Sequence, residues 1–312
     1  MLSAAQKDGR GNICPATIIL PTLAMQIKKK SEKKELDIVE EFMKLLEKKI
    51  EECKDSLLER FNYICSQSPK SATFMWENST MKGYVEDEGL ISAMKHGTLA
   101  IGNLGLNETL MILIGKNHTT PEGMELAKRI YQLYSDKCNE YKKKYKLNFG
   151  VYNTPAESLC YTAMKKFQKK YGKIPGISDR EFFTNSMHVP VFQEISAFDK
   201  IDVESELTGY SNAGCITYVE IDENAQHNTK ALEQEVKYAM EKDIPYHAIN
   251  VPNDMCEDCG FQGNIPDDTT CPHCGSSNIT RLRRVTGYIS QDYHHFNLGK
   301  QEEVHARKKH IK

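Results

Sequence analysis

Two cysteine pairs near the C-terminus constrain this chain more than any other feature. They read Cys256-Glu-Asp-Cys259-Gly and Cys271-Pro-His-Cys274-Gly, with residues 260–270 between them. Two residues between cysteines place both thiolates on one tight turn, and a glycine after each pair supplies the positive φ that such a turn demands. Two turns of this kind offer four soft ligands in a tetrahedron, which suits Zn²⁺ at Zn–S distances of ~2.3 Å. A shell closed by four thiolates has no open position, so its expected role is folding rather than catalysis. His273, inside the second pair, is then not needed as a ligand. A redox-active disulfide pair is the competing reading, and the matched glycines favour the metal. Residues 251–280 are therefore expected to form a four-cysteine zinc ribbon, the kind of cross-link used where a segment is too small to build its own core.

With 312 residues the chain has room for about two domains. Its 41 Lys and Arg against 43 Asp and Glu give a net charge of −2, which argues against a protein living on phosphate neutralisation. A zinc-ribbon module binding nucleic acid or protein is the second reading; its only basic patch would be Arg281, Arg283 and Arg284, without an aromatic-basic stripe beside it. No direct nucleic-acid contact is expected. No run approaches the ~18 apolar residues of a membrane span, and the start lacks the apolar segment of a secretory signal. The expected setting is cytoplasmic. In a reducing compartment the scattered Cys14, Cys53, Cys65, Cys138, Cys160 and Cys215 are not expected to form disulfides, and Cys53, inside an apolar helical stripe, reads as a packing residue.

The body reads as α/β. Residues 16–20, ATIIL, suggest a buried strand followed by a turn at Pro21, and Ser31 is expected to open a charged helix. In that helix Val39, Met43, Leu46, Ile50, Cys53, Leu57, Phe61 and Ile64 recur at steps of three and four and form one core-facing stripe. Further helical patterns start at Glu108 and at Pro121, the latter running to about Lys144. Thr154-Pro155-Ala156-Glu157 has the form of a capping box opening a helix. Phe183–Ile195 and Ile216–Ile221 read as strands. Alternating helices and short apolar strands suggest an α/β body over residues 1–250, after which the composition turns rich in Cys, Gly, Asp and Pro.

Beyond the cysteines comes Arg284-Val285-Thr286-Gly287-Tyr288-Ile289. Phe296-Asn297-Leu298-Gly299-Lys300-Gln301-Glu302-Glu303-Val304 follows, then a basic end at Arg307-Lys308-Lys309-His310. Alone, Gly287 reads as a turn glycine. Behind a four-cysteine site, the segment resembles the C-terminal end of anaerobic (class III) ribonucleotide reductases, which are glycyl radical enzymes. DGRGNICPATIILP (8–21), IGNLGLNETL (101–110), NTPAESL (153–159), FFTNSMHVPV (182–191) and NAGCITYVEID (212–222) extend the resemblance through most of the chain.

The resemblance implies that residues 1–250 are the C-terminal half of a ten-stranded α/β barrel. Residues 281–312 would be the glycyl radical loop and tail reaching its centre. Gly287 would carry the radical, generated by a radical-SAM activating protein. Glycine suits this role: a Cα without a side chain stays planar and delocalises the unpaired electron over its flanking amides. The radical would pass to a cysteine whose thiyl form attacks the ribose of a ribonucleoside triphosphate. Water would then leave from C2′, with formate as reductant. Thr154, Pro155, Ala156, Glu157 and Ser158 offer a triphosphate cradle at a helix start, or an ordinary N-cap. Asn107, Glu108, Asn185, Ser186 and His188 are polar groups between apolar runs, expected to line a pocket or to satisfy strand ends. Tyr288 reads as a packed lid. Family members are about twice as long and carry their thiyl cysteine in an MGCR-like segment ahead of GRGN. None precedes Gly9 here, and Cys14, Cys160 and Cys215 are not expected to replace it. A companion N-terminal chain, and a homodimer, are expected accordingly. A catalytically inactive remnant that keeps the zinc is the remaining alternative.

Overall fold

The computed structural model describes residues 11–221, 228–251, 253–266, 269–285, 287–291 and 293–310. Strand β1 (Ala16–Ile19) runs directly into helix α1 (Leu20–Ser31), with Pro21 in the first helical turn, where a missing N–H costs nothing. Pro21 thus starts a helix instead of ending in a turn, and Ser31 closes that helix instead of opening the next. The long amphipathic helix is α2 (Ile38–Cys65). Its N-cap is Asp37, whose carboxylate accepts from the N–H groups of Val39 and Glu40. From the expected stripe Leu46, Ile50, Leu57 and Phe61 are buried together with Phe42, while Val39, Met43 and Cys53 lie half-buried against the same core.

Two short helices, α3 (Thr73–Glu77) and α4 (Ile91–Met94), lead to β2 (Thr98–Leu104). After it come α5 (Leu106–Ile114), α6 (Pro121–Tyr145), β3 (Asn148–Asn153) and α7 (Glu157–Tyr171). Strands β1, β2 and β3 form a parallel sheet with β2 in the middle, buried along its whole length. Parallel pairing requires crossovers, supplied by α1 and α2 and then by α5 and α6, and it buries the central strand on both faces. Between β2 and β3 the Tyr131 hydroxyl of α6 lies 3.0 Å from Asn103 Oδ1 and 2.7 Å from Asn153 Oδ1, providing a polar partner inside the core.

A second parallel pair follows: α8 (Ala197–Thr208), β4 (Thr217–Glu220), α9 (Thr229–Glu241) and β5 (His247–Asn250). The stretch before β4 lies along the outer edge of β3. There the Ala213 N–H donates to Val151 O and the Asn153 N–H to Gly214 O. Gly150 permits this approach, since a Cβ there would stand 2.8 Å from Ala213 Cβ. Residues 183–195, expected as a strand, form turns and irregular chain instead. Past Asn250 the pairing becomes antiparallel. Strands β6 (Asn253–Cys256), β7 (Gln262–Gly263), β8 (Ile279–Val285) and β9 (Tyr288–Ser290) form one sheet in the order β7-β6-β8-β9. Helix α10 (Leu298–Ala306) follows. Among the described residues no set of strands closes into a barrel.

Leu46 is fully buried between α2 and the sheet. Leu46→Ala should cost about 2–5 kcal/mol through lost transfer energy and a residual cavity, read as a lower urea midpoint; an unchanged midpoint would contradict this packing.

Candidate active site and metal centre

In parallel sheets, ligand sites gather where the carboxyl ends of the strands open into loops. Strand β2 ends at Leu104, and Gly105, with a φ of 77°, turns the chain into α5; a Cβ there would sit 2.5 Å from the Pro21 ring. Asn107 and Glu108 follow on the first turn of α5, both buried. The Oε1 atom of Glu108 accepts the Thr184 N–H at 3.0 Å and its hydroxyl at 2.6 Å. Burial pushes this carboxyl up, and the two Thr184 bonds partly restrain it. The Gly105 N–H donates to Thr184 O and the Leu106 N–H to Ser186 O, so residues 184–186 are pinned across the start of α5. Ser186 stands at φ 36°, a conformation L-residues rarely take, and is held there by these bonds. Asn185 Nδ2 donates to Pro155 O at 3.2 Å, tying the same segment to the turn after β3.

That turn departs from the expected capping box. Helix α7 begins at Glu157 behind Ala156, with no side-chain cap. The Thr154 hydroxyl is engaged elsewhere, 2.9 Å from Thr17 Oγ1 and directly over Gly102, where a Cβ would come within 2.0 Å of it. The carboxylate of Glu157 does not reach back to a cap either. It lies against Gly287: a Cβ at Gly287 would be 2.5 Å from Glu157 Oε1. The structure thus gathers Thr154–Glu157, Asn185 and, through Thr184, Glu108 at one end of the sheet, and brings the Gly287 loop onto Glu157. Gly287 itself is exposed, as are Tyr288 at 53% and Ile289 at 67%. Tyr288 is therefore no packed lid here; its ring centroid lies 6.0 Å from that of Phe296. Thr286, Asp222 and residues 8–10 of the resembling segments lie outside the described residues.

His188 belongs to a different cluster. Its Nδ1 stands 3.3 Å from Glu204 Oε1, which also receives the Val189 N–H at 3.1 Å and the Lys200 ammonium. Burial alone would raise the Glu204 carboxyl, yet Lys200 and His188 hold it far below the usual carboxylate range. Nearby His118 is completely buried and its imidazole is lowered to about 4 by that burial. The remaining thiols are poor nucleophiles: burial pushes Cys160 up to about 12 and Cys215 up to about 11, and raises Cys14 as well.

The four C-terminal cysteines converge. Their Sγ atoms all lie within 4.8 Å of one another, with Cys256 to Cys274 at 3.5 Å and Cys259 to Cys271 at 3.7 Å. A tetrahedron of four sulfurs at ~2.3 Å from zinc has edges of ~3.8 Å, whereas a disulfide would need ~2.05 Å. The donor set therefore fits a tetrahedral ion. Gly260 and Gly275, each at φ 75°, close two equivalent turns, donating to Cys256 O and Cys271 O at 2.8 Å. Asp258 joins the turns by accepting from the Ser276 hydroxyl and from Asn278 Nδ2. Arg281 donates to Pro266 O, and the Arg284 guanidinium lies 5.1 Å over the Tyr218 ring. Two of the three arginines of the supposed nucleic-acid patch are thus engaged within the fold.

Residues 1–310 match the family model described as anaerobic ribonucleoside-triphosphate reductase. The chain belongs to this family. Curated anaerobic ribonucleoside-triphosphate reductases of Haemophilus influenzae and Escherichia coli are each 31% identical to it, over 316 and 320 residues, covering 97% of this chain and 43% of theirs. That of Enterobacteria phage T4 is 28% identical over 313 residues, or 49% of its length. The chain accordingly spans a little under half the length of the curated reductases it matches. Among solved structures, an anaerobic ribonucleotide reductase superposes with a TM-score of 0.75 at 19% identity, over 97% of this chain and 46% of that one. The Thermotoga maritima enzyme in complex with dATP and CTP gives 0.68 at 18% identity, over 95% and 45%. Both share the mixed α/β fold seen here. The sequence did not single out Glu204, Lys200, Tyr218 or Arg307. These isolated charged and aromatic residues carry no spacing signal, and Arg307 was visible only as part of a basic end.

Two outcomes follow from this geometry. Stripping the metal with a chelator, or Cys271→Ser, should speed hydrogen exchange in residues 253–285 first while β1–β3 stay protected, and metal analysis should find about one zinc per chain. Equal loosening of the whole chain would contradict a local clamp. In the unfolded chain His118 takes up its proton near pH 6.5, but in the fold only near 4. Its contribution is therefore complete above about pH 6.5, is lost as the pH falls toward about 4, and amounts to about 3 kcal/mol. His118→Leu should flatten that part of the stability-against-pH curve measured by urea unfolding.

Proposed function

We propose that this chain is the radical-bearing C-terminal portion of an anaerobic ribonucleoside-triphosphate reductase. In this reading residues 1–250 are the later half of a ten-stranded α/β barrel, 251–280 a four-cysteine zinc ribbon, and 281–312 the radical loop and tail. One observation carries it: an exposed glycine, on a strand connection directly behind a four-thiolate clamp, is delivered onto Glu157 at the carboxyl ends of parallel strands. Loss of a hydrogen atom from its Cα supplies the unpaired electron for the reaction. The lack of a Cβ permits a planar Cα, and it lets the Glu157 carboxylate lie close beside the glycine without having to swing aside.

The residues around it have separable tasks. Helix α7 starts without a side-chain cap, so its first-turn amides and positive end suit an anionic triphosphate at Thr154–Ser158. Asn185 holds that turn through Pro155 O, and Glu108 holds Asn185 in place through Thr184. The net reaction converts a ribonucleoside triphosphate, formate and a proton into the 2′-deoxyribonucleoside triphosphate, carbon dioxide and water. The formate carbon is oxidised and C2′ is reduced. The thiyl cysteine is assigned to a companion region, in keeping with relatives more than twice the length of this chain. Exposed Tyr288 and Ile289 at the loop tip give that region an apolar surface to cover. A radical-SAM activating protein, a cytoplasmic setting and a homodimer complete the proposal.

Anaerobic activation with the radical-SAM protein should yield an electron paramagnetic resonance doublet from the Cα hydrogen of Gly287. Incorporation of deuterated glycine should collapse the splitting. A spectrum that keeps its splitting would refute the assignment.

A further inference from the structure

The chain leaves the body at Arg284, passes through Gly287, β9 and α10, and returns at Arg307. At this neck the Arg307 guanidinium reaches three different elements. Its Nη1 donates to Arg284 O on β8, its Nη2 to Glu303 Oε1 on α10 at 3.2 Å, and its Nε lies 3.7 Å from Glu220 Oε1 on β4. The side chain is only 13% exposed. Both carboxylates are themselves held. Glu303 pairs with the buried Lys300, and Glu220 Oε1 accepts from Asn250 Nδ2 at 2.7 Å. The tail continues as a strap, with the Lys308 N–H on Val191 O and the His310 N–H on Glu220 O.

The far part of the same excursion is fastened to α7. Gly299 of α10 approaches so closely that a Cβ would stand 2.8 Å from Tyr161 Cβ on α7, and in the chain that follows α7 the Glu181 N–H donates to Glu302 at 2.6 Å. Helix α7 also begins with Glu157, the residue against Gly287. The loop thus meets α7 at its tip and again at its return helix, and is closed at its base by one side chain. Arg284 O is only three residues from Gly287, so a bond there sets the direction from which the glycine arrives.

We propose that Arg307 is a positioning residue for Gly287, closing the neck of the 284–307 loop so that the glycine Cα stays seated against Glu157. The catalytic consequence rests on the reading of Gly287 given above; the positioning does not. A planar fork with several fixed donors can serve a carbonyl and two carboxylates that approach from different directions. A lysine keeps the charge but has one ammonium centre, so it can neutralise the carboxylates and yet lose the carbonyl.

The test is hydrogen exchange on the full chain, comparing wild type, Arg307→Lys and, as an exposed neighbour, Lys308→Ala. In R307K the amides of 287–290 should exchange about tenfold faster, equivalent to about 1.4 kcal/mol, with β2 and α2 unchanged and K308A like wild type. Unchanged exchange at 287–290, or a rise spread evenly over the body, overturns the proposal. A second arm uses anaerobic activation: where wild type gives the Gly287 doublet, R307K should give about tenfold fewer spins. An identical doublet at equal yield also overturns the proposal. If wild type gives no doublet, it is the radical reading that falls, while the exchange arm still decides the place of Arg307.

Discussion

The arrangement depends on β2 having a parallel neighbour on each side. Parallel ladders force every connection to return over the sheet, so successive loops leave from the same end. That geometry brings Gly105–Glu108, Thr154–Glu157 and the 184–186 segment together, although they are far apart in the chain. It also explains two glycines. Gly102 is bare because the Thr154 hydroxyl lies directly over it, and Gly105 is bare because the chain must turn against Pro21.

Charge is distributed unusually for a chain that is nearly neutral. Glu204 and Glu303 are buried, each beside a buried lysine, and Arg307 is almost enclosed. Such pairs contribute little net stability, since desolvation offsets most of the attraction, but removing one partner leaves a buried uncompensated charge. They act as locators. Glu204 gathers Lys200, His188 and the backbone of Val189, and Arg307 gathers β4, β8 and α10. The second of these locators stands at the base of the loop that carries Gly287. The four-cysteine clamp stands at its other approach, where β6 pairs with β8.

Part of this was legible from residue order. The 3.6-residue stripe of α2 and the helix from Pro121 follow from periodicity, which needs no partner to be read. The cysteine turns follow from spacing and glycine placement, because ligand geometry is local. Other expectations failed for tertiary reasons. Thr154 has every local reason to cap α7, but Thr17 on β1, beyond the central strand, competes for its hydroxyl. Residues 183–195 have the composition of a strand, yet the backbone groups of Thr184 and Ser186 go to Gly105, Leu106 and Glu108 instead of to a ladder. His188 looked like a companion of Asn185 and belongs to Glu204 instead.

What the sequence determined by itself, then, was the set of short-range devices: the amphipathic helices, the two thiolate turns and a bare glycine behind them. Each is decided by residues a few positions apart, where backbone geometry and side-chain chemistry suffice. Only the folded chain decided that Glu157 meets Gly287 and that Arg307 meets Arg284. The first depends on the parallel sheet bringing the start of α7 to the loop end, and the second on α10 returning the chain to β8 across 23 residues. No local preference encodes that.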